Sequence, residues 1–123
     1  MPNVAYDLHG EHIYEYAAEG PVLRTSQDSV DLIGEARSHL ATMAILPIGR
    51  LDPTFFQPRT GLAGEVLQKF VNYELRLVIL GDYSLFAANS APLRELIYES
   101  NRGKAAWFLV DRKELDDRLA PKA

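Results

Sequence analysis

The sequence predicts an α/β fold, with a mixed sheet that opens on an N-terminal hairpin and continues through parallel β-α units, its helices packed on the sheet. Three observations predict it. Val4–Leu8 and residues 12–17 are β-prone runs separated by His9-Gly10-Glu11, a glycine-containing turn that suits a hairpin. Residues 43–48, 75–80 and 105–110 (MAILPI, LRLVIL and AAWFLV) are short and almost wholly apolar, as strands buried on both faces must be. Between these runs lie stretches long enough for a helix, and a parallel pair of strands needs such a crossover.

Each element has its own local reason. Over residues 26–40, Val30, Ile33, Ala36 and Leu40 recur at helical spacing while Asp31, Glu35, Arg37 and Ser38 fall elsewhere, which predicts an amphipathic helix capped near Ser26 or Asp28. In the strand at 43–48, Pro47 lacks a ladder donor and belongs near the end. After Arg59-Thr60-Gly61 comes a second helix, with Leu62, Ala63, Val66, Leu67, Phe70 and Val71 as a wide apolar face and Gly61 and Gly64 expected to permit close packing. The strand at 75–80 leads through Gly81-Asp82 into a loop that reaches Ser90. Pro92 stands just inside a third helix with Leu93, Leu96, Ile97 and Ser100 on one face, and Asn101, Arg102 and Gly103 close it. Asp111 and Glu114 form a candidate capping box for a short last helix, Arg112–Leu119.

The predicted order is β-β-α-β-α-β-α-β-α. With right-handed crossovers, the last three or four strands are parallel and every strand-to-helix loop reaches the same edge, where helix N-termini point and where open α/β sheets bind ligands. Residues 25–28, 50–60 and 82–90, with Asp111, are expected on that edge.

Composition bounds the function. The chain has 123 residues, 47% of them hydrophobic, which suits one domain spanning 1–123 with a core that needs no staple. A net charge of −4 and the lack of any Lys/Arg run argue against nucleic acid as a partner. There is no cysteine, hence no disulfide and no thiolate metal site, which fits a reducing cytoplasm. The first residues lack the basic and apolar regions of a signal peptide, and no stretch approaches the roughly 20 apolar residues of a membrane span. A soluble cytoplasmic protein is therefore expected. His9 and His12 flank a turn and His39 lies on a helix surface, so they make no metal-binding face, and no nucleophile elbow or phosphate-binding glycine loop is present. No cofactor, metal or catalytic residue is assigned.

The best functional lead is the corner at the start of the second helix. Arg59, the Thr60 hydroxyl and the backbone N–H groups of Gly61 and Leu62 suit an anion, with Asp82 orienting Arg59 and Asp28 on the same edge. The plainer reading makes Thr60 a helix cap and pairs Arg59 with Asp52 or Asp82. Asn101 reads as a backbone cap, and Glu99 as exposed or paired with Arg102.

Thr60-Gly61-Leu62 after a strand, in this order of elements, resembles the STAS-type domain, the anti-sigma-factor-antagonist fold. That resemblance implies a single STAS-like domain and places Thr60 at the family's phospho-acceptor position. Arg59 stands where that family usually carries an acidic or small residue, and with Phe55, Phe56 and Leu62 nearby the expectation is a buried or capping Thr60 that is not phosphorylated. The chain is also similar, over most of its length, to the bacterial domain-of-unknown-function family 4180. Arg59-Thr60-Gly61-Leu62-Ala63-Gly64-Glu65, Gln68-Lys69-Phe70, Asn72-Tyr73, Gly81-Asp82 and the run from Ile97 to Gly103 carry that similarity.

These readings lead to a regulatory or binding module that is not an enzyme and takes a protein partner or a small anionic ligand through Arg59, Thr60, Gly61, Asp82 and Asp28. Two alternatives stand beside it: a small enzyme with Asp82 or Asp52 as base and Arg59 as anion holder, and a homodimer built on the helix after Thr60. A deep pocket joining Arg59, Asp82 and Asp28 would favour ligand or catalysis. A flat apolar surface around Leu85 and Phe86 would favour a partner.

Overall fold

The computed structural model describes residues 2–121. Val4–Leu8 (β1), Glu11–Glu15 (β2), Met43–Pro47 (β3), Arg76–Leu80 (β4) and Ala106–Leu109 (β5) form one five-stranded sheet in chain order. β1 is antiparallel to β2, and β2, β3, β4 and β5 run parallel. Met43 lies opposite Arg76 and Leu77 opposite Ala106, so the three apolar runs are adjacent and parallel as expected. The hairpin turns on His9 and Gly10, with φ of 47° and 86°, and two successive positive φ values give a turn whose twist matches the strands it joins.

The helices are Ser26–Ser38 (α1), Leu62–Asn72 (α2), Ser84–Ala88 (α3), Ala91–Arg102 (α4) and Arg112–Leu119 (α5). A sheet that grows in one direction through crossovers of one hand places all its crossover helices on one face. The core agrees with this. Ile33 and Ala36 of α1, Val66 and Phe70 of α2, and Leu93 and Ile97 of α4 share a cluster with Tyr14, Leu46, Leu77, Ile79 and Phe108. On the opposite face Leu115 of α5 packs with Ile13, Met43, Ile45, Val78, Trp107 and Leu109. Strand residues alternate between the two clusters, as the two-residue period of a strand requires.

Several details differ from the expectation. Thr25, not Ser26 or Asp28, caps α1, with Asp28 as the returning member of its capping box. The loop expected between Gly81 and Ser90 contains the one-turn helix α3. Val71 is exposed and Leu67 only half-buried, so the inward face of α2 is narrower, made of Leu62, Ala63, Val66 and Phe70. Gly64 is exposed and a Cβ there would meet nothing, so close packing does not explain it; Gly61 is needed instead for its φ of 72°. Gly103 follows α4 with an extended backbone rather than a left-handed one.

Candidate functional site

Between β3 and α2 the chain makes three short 3-10 turns, Ile48–Arg50, Pro53–Phe56 and Pro58–Thr60. Pro53 and Pro58 pre-set φ at the start of the last two. The Asp52 carboxylate caps the middle one, accepting from the Thr54 N–H at 3.0 Å and hydroxyl at 2.6 Å. The Thr60 hydroxyl sits 2.8 Å from both the Thr54 and Gln57 carbonyl oxygens and accepts from the Leu62 N–H at 3.2 Å. Thr60 is thus an exposed residue whose hydroxyl is tied into the turn, and Gly61 occupies the cap position of α2.

Arg59 is exposed and has no ion-pair or hydrogen-bond partner among the described residues. It does not pair with Asp52, which lies 3.5 Å from Arg24 instead. Asp82 accepts from the Ser84 N–H at 2.9 Å, and the Ser84 hydroxyl, followed by that N–H, holds its carboxyl below the usual range. Asp28 accepts from the Arg24 N–H at 2.8 Å and the Thr25 N–H at 3.0 Å, and the Arg24 N–H is the main reason its carboxyl is lowered too. The three aspartates therefore serve three separate backbone turns. Asp28 lines a cavity of about 470 Å³ beside α1, and neither Arg59 nor Asp82 reaches it.

What the corner does have beside it is an apolar surface. β4 passes into α3 through Gly81, with φ of 145°, where a Cβ would lie 2.3 Å from the Ile48 side chain; only glycine allows that approach. Tyr83 turns its ring edge-on to Phe108, centroids 6.2 Å apart, and Phe86 stacks on Phe56. Arg94 of α4 donates to the Ala87 and Ala88 carbonyl oxygens at 2.8 and 3.1 Å, closing the end of α3. This fixes a helix that propensity alone would not sustain. Leu85 is left 84% exposed and Phe86 39% exposed, and Tyr98 of α4, also exposed, lines a groove together with Tyr83, Ala87, Arg94 and Ile97.

Sequence reasoning missed Arg50 altogether. It is the most deeply buried charged side chain of the described residues, on the same edge, and no local pattern marks it. Among the described residues no group of three or more His, Cys, Asp or Glu side chains is placed to hold a metal, and no helix is long and apolar enough to cross a membrane.

An α/β protein with its strand-to-helix loops gathered on one edge, and with an exposed aromatic surface there, is the class that fold and site define. Residues 8–119 match the family model described as a domain of unknown function, DUF4180, and the chain belongs to that family. Searches of curated proteins and of solved structures find no match.

Proposed function

We propose that this chain is a cytoplasmic, non-catalytic, STAS-like binding module in which a single domain docks a protein partner at the strand C-terminal edge. The observation that carries this reading is Leu85, 84% exposed on a helix held in place by Phe56, Asp82 and Arg94. Large apolar side chains displayed together on a firm support mark docking surfaces rather than catalytic clefts. Arg59, on the turn that follows Phe56, lacks a carboxylate partner among the described residues, so the matching partner presents an apolar side chain accompanied by an acidic group. Thr60 and Gly61 shape the turn that displays Arg59, and Asp82 fixes α3.

Acid–base catalysis is the poorer reading. A general base works best with a pKa near neutrality, whereas hydrogen bonds from Thr54 and Ser84 move Asp52 and Asp82 the other way. The STAS-like assignment rests on the order of elements and on Thr60-Gly61-Leu62 between β3 and α2.

Quantitative co-purification from native cells tests the docking surface. Leu85→Asp and Arg59→Glu should each lose the same bound protein, while Val71→Asp, at the far end of α2, should keep it. Equal recovery with all three variants would refute the proposal.

A further inference from the structure

The cavity of about 470 Å³ lies between α1 and the connection from β2 to α1, and Arg50 forms part of its wall. Arg50 is only 6% exposed. Its Nε donates to the Pro21 carbonyl oxygen at 2.8 Å and its Nη1 to the Ala17 carbonyl oxygen at 2.7 Å. Nη2 has no partner, and the guanidinium has no carboxylate within ion-pair distance, among the described residues. Among the described residues no buried side-chain nitrogen or oxygen is left without a partner, so this partnerless nitrogen is open to the solvent of the cavity and free to take an anionic group there. Gly20 lies directly against the guanidinium, since a Cβ there would be 2.9 Å from Cζ. The Leu23 N–H bonds the Arg50 carbonyl oxygen at 2.7 Å and the Asp52 N–H bonds the Leu23 carbonyl oxygen at 3.0 Å, so the connection is held as a fixed wall.

Apart from Asn3, the remaining polar side chains of the lining are acidic. Glu19, Asp28, Asp31 and Glu35 line the same cavity. Asp28 is occupied by the capping box, and Glu35 accepts from the Asn3 side-chain amide at 3.2 Å. Asp31 and Glu35, one turn apart on α1, face the cavity from the side of the helix. A simple anion would meet these carboxylates, and a simple cation would leave Arg50 unmatched.

We propose that this cleft binds a free α-amino acid with a cationic side chain, its carboxylate on Arg50 Nη2 and its side-chain cation on Asp31 and Glu35. The volume is in the range of small-molecule sites. The site is separate from the docking surface at Leu85, and either can fail alone.

Titration of the isotope-labelled full chain, followed by amide NMR shifts, tests it with three probes: L-arginine, agmatine (the same molecule without its carboxylate) and acetate. L-Arginine should produce saturable shifts confined to residues 20–23 and 31–35, with agmatine and acetate at least ten times weaker. The pair Asp31→Asn and Glu35→Gln should weaken L-arginine at least tenfold while the remaining spectrum stays native. Three results would overturn the assignment: no saturable shifts with L-arginine, agmatine binding as tightly as L-arginine, or the double variant binding as well as the unmodified chain.

Discussion

Phe86 lies flat on Phe56, ring centroids 4.1 Å apart and planes 12° from parallel. Phe56 in turn meets Phe55 edge-on at 5.1 Å, and both are buried, so the stack joins α3 to the core through the corner. Leu85, on the same helical turn, takes no part. Phe86→Ala is therefore expected to cost about 1–2 kcal/mol, the sum of a partly buried aromatic and its stacking partner. Leu85→Ala should stay within about 0.5 kcal/mol, as for a surface position. Urea denaturation of both variants checks the contrast, and equal losses would show that Leu85 is packed.

At the outer edge of β5, Asn101 replaces a neighbouring strand. Its side-chain amide donates to the Phe108 carbonyl oxygen at 3.1 Å and accepts from the Phe108 N–H at 2.7 Å. The near-isosteric Asn101→Leu leaves both backbone groups unpaired and should cost about 1–3 kcal/mol. The opened edge should also raise self-association on size-exclusion chromatography. A variant as stable and as monodisperse as the parent would rule the edge-sealing role out.

Two glycines three residues apart should respond in opposite directions. Gly61 has φ of 72°, so Gly61→Ala should destabilise by about 1 kcal/mol or more. Gly64 is helical with open space where a Cβ would sit, and Gly64→Ala should stabilise by about 0.5–1 kcal/mol. Thermal melts of the two variants on either side of the parent would agree with the structure.

Tyr6 tests the face covered by α5. Its hydroxyl donates to Glu15 at 2.7 Å, and burial, reinforced by Glu15, pushes its pKa up to about 12. The folded value exceeds the unfolded value of about 10, so this stabilisation is complete below about pH 10 and is lost as pH rises towards 12. In a difference titration of phenolate absorbance, Tyr6→Phe should remove a step near pH 12. Loss of a step near pH 10 instead would mean that Tyr6 is solvated.

Much of the fold was legible because its signals are local. The runs at 43–48, 75–80 and 105–110 are apolar on both faces, and α5 begins directly after its capping aspartate, Asp111. Glu99 beside Arg102, at 3.6 Å, was legible for the same reason, whereas Asn101, expected to cap the helix end, instead bonds the Phe108 backbone of β5, a contact that needs the strand to return beside the helix. The site was less so. Thr60 looks like a helix cap in sequence, but Pro58 starts a 3-10 turn that takes up its hydroxyl and passes the cap position to Gly61. Asp28 and Asp82 read as one acidic and anion-orienting group, yet each is held by the backbone of its own turn. α3 has only five residues and exists through Phe56, Asp82 and Arg94, all outside it in sequence. Arg50 against Gly20 depends on two loops meeting, which no pattern within either loop encodes.

The most direct measurement of the docking proposal is photo-crosslinking in native cells with benzoylphenylalanine in place of Leu85, compared with the same residue in place of Val71. The account predicts one discrete adduct from position 85, heavier than the chain by the mass of a different protein, lost when Arg59→Glu is added, and absent from position 71. No adduct at position 85, the same adducts from both positions, or an adduct with the mass of two copies of this chain would contradict it.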